Sequence, residues 1–61
     1  ERIVLGRALQ QIPGQYQEVI LLRFVEGFQF SEIADLTGQH LEATKSLFRR
    51  AISALRDQLD K

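Results

Sequence analysis

Gln29-Phe30-Ser31-Glu32-Ile33-Ala34-Asp35-Leu36-Thr37-Gly38, followed by Gln39 and His40 and then by Leu41-Glu42-Ala43-Thr44-Lys45-Ser46-Leu47-Phe48-Arg49-Arg50-Ala51, is the stretch that decides the fold. It reads as a short helix, a tight turn and a longer helix with a basic polar face, the arrangement of a helix-turn-helix. In the short helix, Phe30, Ile33, Ala34 and Leu36 are expected to face the core while Ser31, Glu32 and Asp35 face water. Gln29 and Glu32 have the spacing of a capping box, and acidic residues in that first turn suit the positive end of the helix dipole. Within Thr37-Gly38-Gln39-His40, Gly38 is the residue that takes a positive φ without steric cost, so the turn is placed there.

The longer helix is expected over about residues 41–59. On a 3.6-residue wheel Leu41, Thr44, Leu47, Phe48, Ala51, Ile52, Leu55 and Leu59 fall within an arc of about 140°. Glu42, Lys45, Ser46, Arg49, Arg50 and Ser53 fall on the other side. One face packs and the other is left to read.

Two further helices precede this pair. Ile3, Val4, Ala8, Leu9 and Ile12 recur at helical spacing, so a first helix is expected over residues 2–11, stopped by Pro13-Gly14. A second runs over residues 15–26 through Tyr16, Val19, Ile20, Leu21, Leu22, Phe24 and Val25 and ends at Gly27. Arg23 interrupts its apolar run and is expected to point to solvent or to a backbone phosphate. The expected fold is therefore all-α: one four-helix domain spanning residues 1–61, with a C-terminal helix-turn-helix and no winged element.

At 61 residues a domain buries only about 60% of its unfolded surface, which makes for modest stability. Glu1 opens directly into a helical pattern without an initiating Met, as expected of a domain excised from something larger. Cysteine is absent, which excludes a disulfide framework and a thiolate zinc site. No apolar run approaches the roughly 20 residues of a membrane span, and no secretion signal is visible, so the expectation is a cytoplasmic domain with no membrane partner.

The single His and the lack of a carboxylate pair beside a nucleophile leave no kit for acid-base, covalent or metal catalysis. The chain is not read as an enzyme, and no cofactor or metal is expected. Formal charge is zero overall. It is unevenly spread: residues 1–39 carry a net −2 and residues 40–61 a net +2.

The positive case is binding to nucleic acid through the last helix. Lys45, Arg49 and Arg50 suit phosphates or guanine edges, and Ser46 suits either base or backbone. Glu42 either accepts from a cytosine amino group or favours the helix terminus through its dipole. His40, just before the helix, suits a free backbone donor or a phosphate. Arg56, Asp57, Asp60 and Lys61 lie too far along to reach bases.

A longer pattern now stands out. Leu9-Gln10-Gln11-Ile12-Pro13 and Tyr16-Gln17-Glu18-Val19-Ile20-Leu21-Leu22-Arg23-Phe24-Val25-Glu26-Gly27-Phe28 resemble the start of region 4, the C-terminal promoter-binding domain of bacterial RNA polymerase sigma factors. Phe30-Ser31-Glu32-Ile33-Ala34, Thr37-Gly38 and Thr44-Lys45-Ser46-Leu47-Phe48-Arg49-Arg50-Ala51 continue it in register, over about residues 8–56. The pattern is most similar to the extracytoplasmic-function group of the sigma-70 family. The resemblance implies that the last helix reads the upstream (−35) element of double-stranded promoter DNA and that the domain docks on the β flap of the polymerase core.

Carried over by position, the resemblance puts Lys45, Ser46, Arg49 and Arg50 where such domains touch DNA, His40 at the cap of the reading helix and Arg23 against the DNA backbone. Three positions depart from it: Gln29 stands for a usual Ser, Glu42 for a small residue and Leu47 for a basic one. The last two lower the positive charge of the reading helix. The resemblance also explains a neutral domain, because tethering to polymerase supplies effective concentration. An anti-sigma protein often covers these surfaces, and Leu47 suits either such a contact or the core.

Two other readings share the pattern. A LuxR-type response-regulator output domain has the same four-helix plan and dimerises through its last helix, for which Leu55 and Leu59 are available. A sigma-like module kept for protein interaction is the other, suggested by Glu42 and Leu47.

Overall fold

Pro13 and two glycines with positive φ divide the chain into four helices: α1 (Arg2–Gln10), α2 (Gly14–Phe24), α3 (Phe30–Thr37) and α4 (Leu41–Leu59). The computed structural model describes residues 2–60, with side chains from residue 5. The inward placement expected of Ile3 and Val4 lies outside the described side chains, as does Lys61. Among the described residues there is no strand, and the fold is all-α with a helix-turn-helix at its C-terminal end.

Each boundary has a local cause. After α1, the amides of Gln11 and Ile12 bond back three residues, to Ala8 O at 3.1 Å and Leu9 O at 3.4 Å, which tightens the last turn. Gln17 Nε2 then donates to Ile12 O at 3.0 Å, satisfying a carbonyl that Pro13 leaves without a helical partner. Pro13 itself precedes α2, and its carbonyl accepts from Tyr16 N and Gln17 N, both at 3.0 Å. Helix α2 therefore starts at Gly14, one residue before the sequence expectation.

Helix α2 also ends early, at Phe24. Val25 N and Glu26 N both donate to Leu21 O, at 2.9 and 3.0 Å, and beyond Gly27 (φ 78°) Phe28 N reaches back to Leu22 O at 3.0 Å. Sharing one carbonyl between two amides unwinds the helix before the glycine is reached. Helix α3 opens with the Glu32 carboxylate accepting from Gln29 N at 2.8 Å, one arm of a capping box. It closes at Gly38 (φ 70°), where the amides of Gly38 and Gln39 both donate to Ala34 O, the latter at 3.0 Å. The Gly38 bond is that of the αL motif and the Gln39 bond is the 6→1 bond of a Schellman turn, and this ending leaves three residues between α3 and α4.

The core is built from Ala8, Ile12, Val19, Ile20, Ile33, Ala51 and Leu55, with Tyr16, Leu22, Phe28, Phe30, Leu47, Phe48 and Ile52 packed around them. Helix α4 packs against each of the other three, most extensively against α2. Phe48 anchors this contact from α4. Its ring meets Phe30 edge-on at 5.2 Å and Phe24 at 5.6 Å.

Several apolar residues stand outside the core. Leu36, expected to face inward, is 61% exposed. At about 100° per residue the buried stripe of α3 runs through Phe30, Ile33, Ala34 and Thr37, and Leu36 lies about 110° from its centre. Thr37 takes the inward place, its hydroxyl donating to Ile33 O at 2.8 Å. Phe24 and Val25 are 67% and 70% exposed because α2 unwinds where they begin. Leu41 and Leu59, the first and last residues of α4, are also exposed.

Candidate nucleic-acid interface

Thr44 fixes how α4 begins. It is fully buried, and both its amide and its hydroxyl donate to His40 O, at 2.9 and 3.0 Å. The hydroxyl gives Thr44 a polar partner inside an apolar stripe, so the stripe of Thr44, Ala51 and Leu55 can be buried without an unsatisfied group. With these three inward, the direction opposite them runs within about 40° of Glu42, Ser46, Arg49 and Ser53. Lys45 and Arg50 flank that line.

The outward face thus brings together five of the seven residues singled out from sequence: Glu42, Lys45, Ser46, Arg49 and Arg50. All are exposed except Ser46, which is half-buried. Glu42 Oε2 lies 3.6 Å from Lys45 Nζ, and among the described residues this is the ion pair of the chain. Arg49 and Arg50 have no such partner there. From Glu42 to Arg49 the face rises about 10 Å along the helix, the span of about three base pairs. An α-helix that carries unpaired guanidiniums on its outer side and begins at a tight turn has the form of a helix that enters the major groove.

His40 occupies the N-cap position with extended backbone (φ −72°, ψ 153°), but its side chain makes no bond to the helix end. The exposed imidazole stands at the start of α4. Arg23 is placed apart from the other six. Its Nη1 donates to Phe28 O at 3.4 Å, and its guanidinium lies 5.3 Å from the centre of the Phe30 ring. Instead of pointing to solvent, Arg23 bridges the connection between α2 and α3 and is half-buried there.

Leu47 packs against the core, which is one of its two sequence readings, and it also lines a groove of 250 Å³ with Gln15, Glu18, Leu36, Thr37 and Gln39. The outward line also includes Ser53, exposed and one or two turns beyond Ser46 and Arg49. Sequence analysis placed it on the polar side without assigning it a role. Among the described residues no group of His, Cys, Asp or Glu is placed to hold a metal. No helix among them is long and apolar enough to cross a membrane.

Comparison with known proteins agrees with this geometry. The family model described as "Sigma-70, region 4" matches residues 2–55, which takes in all of α1, α2 and α3 and most of α4. The chain belongs to the sigma-70 region 4 family. It is also similar to RNA polymerase sigma factor SigV of Bacillus subtilis (strain 168), with 39% identity over 57 residues. That alignment covers 93% of this chain and 34% of SigV, so the chain spans about a third of its relative's length. No solved structure matches the chain. As a region 4 domain, the chain takes the sigma side of the two families whose four-helix plan the sequence shares, and the LuxR-type reading falls away.

Proposed function

We propose that this domain reads the upstream (−35) promoter element during transcription initiation, as the C-terminal part of an RNA polymerase sigma factor of the extracytoplasmic-function type. The observation that carries the proposal is the outer face of α4, where Arg49 and Arg50 are exposed and without an ion-pair partner among the described residues. Family membership over residues 2–55 supports the same role. In this reading Lys45, Arg49 and Arg50 contact phosphates or guanine edges, and Ser46 faces base or backbone. His40 lies against the backbone at the helix entrance. Arg23 acts at a distance, by holding α2 to α3, and its remaining donors face the DNA backbone.

The RNA polymerase core is the second partner, through its β flap. Phe24 and Val25, adjacent and largely exposed, suit a protein partner better than a phosphate backbone. An anti-sigma protein that silences the factor would cover the same apolar step together with the arginines. Footprinting of holoenzyme assembled with the full-length factor tests the reading. Protection of the upstream element is expected, with occupancy falling about tenfold or more for each of Arg49→Ala and Arg50→Ala. Unchanged protection in both variants would remove α4 as the reader.

A further inference from the structure

A carboxylate is out of place on a surface built to meet phosphates. Glu42 lies in the first turn of α4, about 20° from the midline of the outward face, with its side chain 85% exposed. Its place in the first turn suits the positive end of the α4 dipole, which favours a carboxylate but does not require one. Its one charged contact is Lys45, one turn further on, at 3.6 Å. An exposed pair at that separation contributes little to stability. Its effect falls on charge instead, since Glu42 cancels one of the three cations on this face, and the one it holds is Lys45.

We infer that Glu42 acts as a brake on sequence-independent DNA binding, by occupying Lys45 until a correctly seated promoter draws the lysine away. The inference rests on the promoter-reading proposal and adds a division of labour to it. Sequence-independent affinity grows with the number of phosphates that basic residues neutralise, each adding about 0.9 to the slope of log K against log salt. A lysine already paired neutralises a phosphate only after its pair is broken, and the released carboxylate then faces a polyanion. On random duplex both effects oppose binding. On a promoter, the arginines fix the helix at one depth and register, and polymerase supplies effective concentration, so the same cost is absorbed. The neutral formal charge of the whole chain has the same sense: the domain is built to hold DNA weakly unless it is delivered.

The test uses the full-length factor, free and in holoenzyme, with a random-sequence duplex and a promoter duplex as probes. Glu42→Gln keeps the side chain's shape and removes its charge. Relative to wild type, the free Glu42→Gln factor is expected to bind random duplex about fivefold more tightly, with a salt slope steeper by about one. Adding Lys45→Met to Glu42→Gln is expected to abolish the gain. Upstream protection by the Glu42→Gln holoenzyme should be retained.

Equal or weaker random-duplex binding by Glu42→Gln overturns the inference. So does a gain that survives Lys45→Met, which would mean simple repulsion from the carboxylate. A loss confined to one base pair of the upstream element also overturns it, by making Glu42 a base reader. Failure of the wild-type holoenzyme to protect the upstream element would overturn the promoter reading itself, and that result is separable from the free-factor measurements.

Discussion

The two turns that flank α3 end their helices with the same device and are held by different means. Gly27 and Gly38 both take a left-handed conformation, at φ 78° and 70°, in open space where an added Cβ would meet nothing. After Gly38 the chain needs three residues to start α4, and every bond that fixes the turn is a backbone amide to Ala34 O or a bond to His40 O. Around Gly27 the helix has already unwound, five residues separate α2 from α3, and a side chain, Arg23, bridges the gap to Phe28 O. The turn before α4 is short and closed by bonds to two carbonyls, with the Thr44 hydroxyl among the donors. The other is longer, and main-chain bonds to Leu21 O and Leu22 O are supplemented by a long guanidinium bond.

The strongest way to break this comparison is at Gly38. A β-branched residue at positive φ is strained whatever space surrounds it, so Gly38→Val should cost about 2 kcal/mol or more, read as a lower urea midpoint. It should also abolish upstream protection by holoenzyme at temperatures where the domain is still folded, because α4 is re-aimed. Gly27→Ala should cost about 1 kcal/mol and leave protection within about twofold of wild type. If Gly27→Ala disturbed protection as much as Gly38→Val, the two turns would be equivalent and the contrast would fail.

Arg23→Ala sharpens the same point from the side-chain end. It removes a long hydrogen bond to Phe28 O and a cation resting on Phe30, together worth about 1 kcal/mol in the urea midpoint. Hydrogen exchange should quicken at the amides of Glu26 and Phe28 and stay unchanged at Gln39 and Thr44. The smallest effect is expected at Glu32→Gln, where a neutral acceptor replaces a charged one at the start of α3, for about 0.5 kcal/mol. A change at Glu32 that propagated to the exchange rate of Thr44 would show that the second turn is less self-sufficient than its bonding implies.

What was legible in the sequence followed from period and punctuation. Gly38 located the tight turn, Pro13 the break between α1 and α2, and the 3.6-residue recurrence from Thr44 to Leu55 separated the packed from the outward face of α4. The residues misplaced by sequence were those whose environment is set by a neighbour rather than by their own helix. Leu36 lost the inward place to Thr37, whose hydroxyl finds Ile33 O. Phe24 and Val25 belong to an apolar run, but α2 unwinds beneath them. Arg23 found a carbonyl and a ring brought near by the α2–α3 connection, and no local pattern announces such a meeting. On the candidate site, sequence grouped the α4 residues by side of the helix, and the i, i+3 spacing of Glu42 and Lys45 was an unused signal for their pairing.

One feature of the architecture has a mechanical consequence. The helix that carries the arginines is also the helix on which α1, α2 and α3 all rest, so no joint lies between the part that meets DNA and the part that a protein partner would grip. Helix α2 makes the most extensive of these contacts, so a displacement of α2 reaches α4 through directly packed side chains. A regulator therefore need not touch the arginines to dislodge them: tilting the body by about 5° about one end of α4 shifts Arg49 and Arg50, about 13 Å along a helix about 28 Å long, by about an ångström.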